Sequence, residues 1–392
     1  MNRAPDPKSM TADNTVTAQN DAALAGATGI LTIDLDAIVA NWRKLGNQAV
    51  PADCGAVVKA DAYGCGITRV TRALVRAGCR TFFVATLDEA KAVREVTPTS
   101  DIFVLDGFFP GSGDRFAKID CMPVIGDSTE LAEWDAYRKV SGWQGQAAIH
   151  IDTGMNRLGF RIEEAQALVP RIKDGNHGFA LVMSHLVNAE VLGNPINGRQ
   201  VAAFREIASQ FSGIPSSLSN SSGIFLGSQF HFDLVRPGAA LYGVNPTPEA
   251  DTPMQPVIDL KVRVAQVRNI ERGETVGYGA TWTARQPTRL AIVAAGYADG
   301  YFRAAGGVDN VRSAEAVVAG KRCPIAGRIS MDLMAIDISA LPSNAIRRGG
   351  MVTLIGDGIG VDELAHHFGT IGYEVLTSLG KRYSRVYTGG EG

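Results

Sequence analysis

Between Ile30 and Tyr242, short apolar runs alternate with stretches whose apolar residues recur at helical spacing. Leu31, Ile33 and Leu35 alternate as a strand does, and Asp36 stands where it can cap a helix carrying Ile38, Trp42 and Leu45. Further apolar runs predict strands over 56–58, 81–85, 102–105, 122–125, 147–151, 179–183, 216–218 and 232–235. Helices are expected over 87–93, 129–140 and 197–211, the last with Val201, Phe204, Ala208 and Phe211 on one stripe. Nearly continuous apolar strands separated by helices are what a parallel sheet covered on both faces requires. About eight such units fit before Tyr242, so the expected fold is a (β/α)8 barrel of the TIM type.

Residues 245–256 then bring four prolines, a density that helices and central strands do not tolerate, and they read as an interdomain linker. Past them the apolar period becomes two, at Ile258, Leu260, Val262, Val264 and Val267, with further strands over 290–294, 316–318, 333–338 and 352–355. The domains expected are a disordered extension over 1–27, a barrel over 28–250 and a mainly-β C-terminal domain over 251–392.

Composition narrows the partners. With 38 Lys and Arg against 40 Asp and Glu, and no long run of either sign, the basic footprint of a nucleic-acid or acidic-membrane binder is missing. Small molecules are therefore the expected partners. The five cysteines, Cys54, Cys65, Cys79, Cys121 and Cys323, form no paired zinc or redox motif, so neither a disulfide framework nor a metal is expected. No apolar run reaches the roughly 18–20 residues of a membrane span. The first 27 residues lack a signal-peptide pattern, and the expected location is the cytoplasm.

The run VVKADAYG at 57–64 sets Lys59 at the end of an apolar strand, ahead of a loop with Gly64 and Gly66. In a parallel barrel the catalytic groups gather at that end. A lysine entering a largely buried site loses basicity, which suits it to Schiff-base chemistry or to acting as a base. Taken alone, the position also fits a surface lysine whose stem lies on apolar neighbours.

The neighbours decide. IDTGMNRLGF at 151, SHL at 184, SNSS at 219, LVRPGAALYG at 234, GYGATWTA at 277, GYADGY at 296 and GRISMD at 327 follow VVKADAYG in order. Together these segments resemble the alanine racemase family of pyridoxal-phosphate enzymes, from about Ile30 to Tyr387. The resemblance implies that Lys59 forms the Schiff base with pyridoxal 5'-phosphate and is one of two acid/base groups. It implies that Tyr278, supplied by a partner subunit's β domain, is the other. Racemisation needs such a pair, because the α-proton leaves one face and returns on the opposite one. A tyrosine of ordinary pKa, near 10, is a poor base at neutral pH, so cationic help from the His185 and Arg236 network is implied as well.

By the same resemblance, Arg236 faces the pyridine nitrogen. Always protonated, it can only donate, so the ring nitrogen stays unprotonated and the cofactor is a weaker electron sink. Related decarboxylases on this fold place a carboxylate there. Phosphate binding is implied for Tyr63, Asn220, Ser221 and the main chain at Gly238 and Ala239, and His185 is expected against the ring. No nucleotide-binding glycine motif follows a strand. Arg157 resembles the arginine that binds the substrate carboxylate, Met331 supplies a main-chain contact with Asp332 beside it, and Tyr297 narrows the entrance. L-alanine and D-alanine are the implied partners, in a homodimer with shared sites.

Three positions depart from the family pattern. His150 stands where many members have a carbamylated lysine, so another acceptor or a bound anion such as chloride must orient Arg157. Ser330 replaces a cysteine. Lys381-Arg382-Tyr383-Ser384-Arg385 lacks the usual phosphate-binding tyrosine, and its replacement is open. His366 and His367, near Asp362 and Glu363, are adjacent on a predicted helix and point different ways, which favours a surface role over a metal. Two other readings are carried: a racemase for serine, lysine or a broad set of amino acids, separable by kcat/KM, and a non-catalytic pyridoxal-phosphate protein, which would have no use for Tyr278.

Overall fold

The computed structural model describes residues 24–173, 175, 177–309 and 313–390. Of the extension expected over 1–27, residues 1–23 lie outside the described residues. Among the described residues the chain forms two compact units, one of 34–257 with 388–390, the other of 24–33 with 258–387.

The first unit is the expected barrel. Strands Ala56–Val57, Thr81–Val84, Asp101–Val104, Met122–Ile125, Ala147–His150, Phe179–Met183 and Ser216–Ser217 lie side by side in chain order, all parallel. Leu234–Val235 closes the ring as the eighth. Asp233 N–H donates to Ser216 C=O and Arg236 N–H to Ser219 C=O on one side, while Gly55 N–H donates to Val235 C=O and Val57 N–H to Pro237 C=O on the other. Phe82, Phe83, Val84, Ile149 and Val182 are buried in the wall.

Two local expectations are corrected. The helix Leu35–Ala49 is capped by Asp34, whose carboxylate accepts from Ala37 N–H at 2.9 Å, and Asp36 lies in its first turn. Leu35 is thus helical, although it continues the alternation of Leu31 and Ile33. The strand Gly29–Asp34 itself joins the β unit, pairing antiparallel with Ile258–Ile270. Its alternate burial suits an antiparallel sheet with one wetted face better than a barrel wall buried on both.

The proline-rich segment is not a free linker. Asn41 on the first helix accepts from Gln255 N–H at 2.8 Å and donates to Gln255 C=O and Leu241 C=O, Lys44 donates to Pro253 C=O, and Met254 is buried. Extended proline-rich backbone has few partners of its own, so a helix side chain supplies them.

The second unit is mainly β, as expected. Its long strand Ile258–Ile270 pairs with Met351–Ile355 along one half and with Thr288–Val293 along the other, a register shift between Val264 and Gln266 marking the change of partner. From Thr288–Val293 the sheet runs through Met334–Asp337, Lys321–Ala326 and Glu315–Val318 to Met351–Ile355 and so returns to the long strand. Closing a sheet this way removes sticky edges. Among the described residues, no helix is long and apolar enough to cross a membrane.

Candidate active site

Lys59 follows the barrel strand Ala56–Val57 directly, and the chain after it does something unusual. Ala60, Asp61, Ala62 and Tyr63 all adopt positive φ of 53–54°. Left-handed backbone costs a residue with a Cβ about 1–2 kcal/mol, so four in a row need compensation. It comes from bonds of Ala62 N–H to Val58 C=O, Gly64 N–H to Ala60 C=O and Gly66 N–H to Asp61 C=O, at 2.8–2.9 Å. The Asp61 carboxylate also accepts from Ile67 N–H at 2.8 Å, starting the next helix. Tyr63 ends the turn with its ring stacked on Tyr242, centroids 4.7 Å apart. The turn sets Lys59 at the barrel mouth with Tyr63 close behind it. Burial lowers the Lys59 pKa, and the positive charge of Arg157 lowers it further, against smaller opposing contributions from Asp106 and Glu89.

The residues expected around a phosphate do converge. Ser221 is buried, and its Oγ accepts from Gly238 N–H at 3.0 Å and Ala240 N–H at 3.2 Å. A Cβ on Gly238 would sit 2.5 Å from Tyr63 Oη, so only glycine lets the phenol approach. Ala239 begins the short helical turn Ala239–Tyr242, and Asn220 Oδ1 accepts from Gly223 N–H at 2.9 Å, shaping the loop that carries Ser221. The Tyr63 and Ser221 hydroxyls gathered against the Gly238–Ala239 main chain are groups of the kind that hold a phosphate. The pyridoxal phosphate implied by the motifs therefore fits the residues present.

Arg236, 4% exposed, donates to Ser217 Oγ at 2.5 Å and to Ser184 C=O at 2.7 Å. Burial pulls its pKa down to about 9, still above neutrality, so it remains a cation and a pure donor. His185 is pushed down to about 3 and His150 to about 4, by burial first and then by Arg236 and Arg157. Both histidines are neutral at pH 7, while Arg236 keeps its charge. Arg157 itself is exposed on a loop that Asp152 shapes, its carboxylate accepting from the N–H groups of Gly154, Met155 and Asn156.

The sequence reading missed Gln200, which is 1% exposed on the helix Pro195–Ala208. Its Nε2 donates to His185 C=O at 2.9 Å and Thr153 Oγ1 at 3.2 Å, and its Oε1 accepts from Val187 N–H at 2.9 Å. Thr153 and Ser184 share a hydroxyl bond of 2.7 Å, so one network runs from the Arg157 loop to the strand end that Arg236 holds. A lone glutamine in an amphipathic helix carries no such signal.

The β unit presents the remaining residues. Tyr278 follows Gly277 (φ 78°) and is 71% exposed. Tyr297 N–H donates to Ser330 C=O and Ala298 N–H to Met331 C=O, which joins the Tyr297 and Met331 loops side by side. Asp332 pairs with Arg382 at 2.5 Å, and Arg382 lies 3.5 Å from Asp299. Tyr383 is buried beside Gly29. His366 is exposed on the helix Val361–Phe368, and the five cysteines form no disulfide.

Comparison with known proteins gives the same picture. Residues 33–246 match the alanine racemase N-terminal domain and residues 257–387 the alanine racemase C-terminal domain. The alanine racemase of Methylobacterium nodulans is 51% identical over 360 residues, 92% of this chain and 96% of that one. Among solved structures, alanine racemase from Bartonella henselae with covalently bound pyridoxal phosphate superposes with a TM-score of 0.86 at 39% identity, covering 92% of this chain and all of that one. The biosynthetic alanine racemase of Pseudomonas aeruginosa gives 0.84 at 32% identity, covering 93% and 100%. A strand-end lysine of lowered pKa beside a phosphate-fitting donor cluster, in a sequence related to these proteins along both units, leaves one assignment: the chain belongs to the alanine racemase family of pyridoxal-phosphate-dependent racemases.

Proposed function

We propose that this chain interconverts L-alanine and D-alanine by two-base proton transfer, with Lys59 Nζ serving one face of the substrate and Tyr278 Oη of a partner copy the other. The observation that carries the reading is Lys59 at the mouth of the barrel, its pKa lowered by burial and by Arg157. A lysine so tuned is more often deprotonated near neutrality and can take up the α-proton. Tyr63, Asn220, Ser221, Gly238 and Ala239 would hold the cofactor phosphate, with His185 and Arg236 beside its ring. The chemistry such a cofactor supplies when bound is an electron sink for the pair left behind by the α-proton. Arg236 would offer only N–H donors to the ring nitrogen and, with its pKa at about 9, would keep its proton at neutral pH.

Arg157 would take the substrate carboxylate, its planar fork matching two oxygens. Met331 would add a main-chain contact supported by Asp332, and Tyr297 with Tyr278 would leave room for a methyl side chain. Tyr278, Tyr297 and Met331 are all large and exposed, at 71%, 43% and 52%, which supports a homodimer that covers them. The test is racemisation of L-alanine with added pyridoxal phosphate, alongside kcat/KM for serine, lysine and arginine. Preference for a long side chain would overturn the substrate assignment. Lys59→Ala should abolish both turnover and the cofactor absorbance expected near ~420 nm. Borohydride-stable cofactor label elsewhere in that variant would refute the role of Lys59.

A further inference from the structure

We infer that Glu89 is a positioning residue for Lys59: its carboxylate ties the start of the left-handed turn to the tip of the neighbouring barrel strand and so sets the direction in which Lys59 leaves the wall. The inference rests on reading Lys59 as the reactive lysine. Glu89 Oε2 accepts from Ala85 N–H at 2.8 Å and Thr86 N–H at 3.2 Å, while Glu89 N–H donates to Thr86 Oγ1 at 3.3 Å, forming a capping box at the helix Leu87–Arg94. A capping box is complete with those bonds. The other oxygen, Oε1, reaches a different strand end and accepts from Ala60 N–H at 2.7 Å.

The register explains why an acceptor is needed there. Val58 N–H donates to Phe83 C=O at 2.9 Å. The next rung of a parallel ladder would join Ala60 N–H to Ala85 C=O. At Ala60 the chain has already turned left-handed, and Ala85 C=O accepts from Asp106 N–H instead. Glu89 supplies the missing rung from a side chain. Three N–H donors on two oxygens suit a carboxylate, whereas a glutamine has one acceptor oxygen and would turn an NH2 group toward one of the donors. The same negative charge also opposes the lowering of the Lys59 pKa.

The test compares Glu89→Gln with Thr86→Ala, which removes the helix cap and leaves the carboxylate. In cofactor-free wild type, the Ala60 amide should be protected from hydrogen exchange although Ala60 is exposed. In Glu89→Gln, exchange over residues 60–63 should rise about tenfold or more, with little change in Thr86→Ala. Lys59 acetylation by acetic anhydride in the same cofactor-free proteins should show its midpoint moved to lower pH only in Glu89→Gln. In the holoenzyme, Glu89→Gln should lose about tenfold or more in kcat with KM for alanine nearly unchanged, as for a misaimed catalytic group. An unprotected Ala60 amide in wild type, which requires no variant to fold, overturns the inference. Equal exchange and labelling in the two variants also overturns it. Failure of the Lys59 assignment is read separately, from where borohydride fixes the cofactor.

Discussion

Around Lys59, what matters is which groups carry charge at neutral pH. Burial first, and then the positive charges of Arg236 and Arg157, hold His150 and His185 neutral, with pKa values near 4 and 3. Unfolding returns both histidines to about 6.5, so between pH 6.5 and 4 the unfolded chain binds more protons. Stability should therefore fall as pH drops through that window, by up to about 1.4 kcal/mol per pH unit for each histidine. Urea melts across this range should show His150→Asn with a shallower decline than wild type. An unchanged slope would mean that His150 is not held neutral by the fold. On the proposed chemistry, Tyr278→Phe should slow α-hydrogen exchange with solvent more for L-alanine than for D-alanine. Equal loss in both directions would make Tyr278 positional.

For the elements, the two hydrophobic periods carried most of the information. A period of two and a period near 3.6 mark which face meets a core, and the core dominates the energetics of strand and helix choice. The runs at 122–125 and 179–183 became strands with those bounds. Local geometry that no period encodes was not legible. The left-handed turn at 60–63 contains no glycine to announce it, and the cap moved from Asp36 to Asp34 because the strand ended one alternation early. The glycine of LVRPG could be read as a close approach, and the structure shows what approaches, the Tyr63 hydroxyl. Gly238→Ala should force that phenol or the loop aside, costing roughly 1–3 kcal/mol as other overpacked sites do. A several-degree drop in Tm with at least tenfold weaker pyridoxal-phosphate binding is expected. Wild-type cofactor affinity would show that the contact is not needed.

The chain comprises two compact units, and the proposed site needs both, drawn from two copies. Lys59→Ala and Tyr278→Phe chains, each impaired alone, should regain activity when mixed under conditions that exchange subunits. Every hybrid dimer then holds one site with an intact Lys59 and an intact Tyr278. No recovery, despite hybrids seen by mass spectrometry, would argue that each site is built within one chain. The sequence by itself determined the two architectures and named the candidate reactive groups, because apolar periodicity and ordered motifs are local properties of the chain. Only the tertiary structure decided that Gly29–Asp34 pairs in the β unit, that Gln200 links the Arg157 loop to the strand end beneath Arg236, and that Glu89 reaches Ala60. Those partners lie far apart along the chain, and which of them meet is decided by how the fold brings donors and acceptors together.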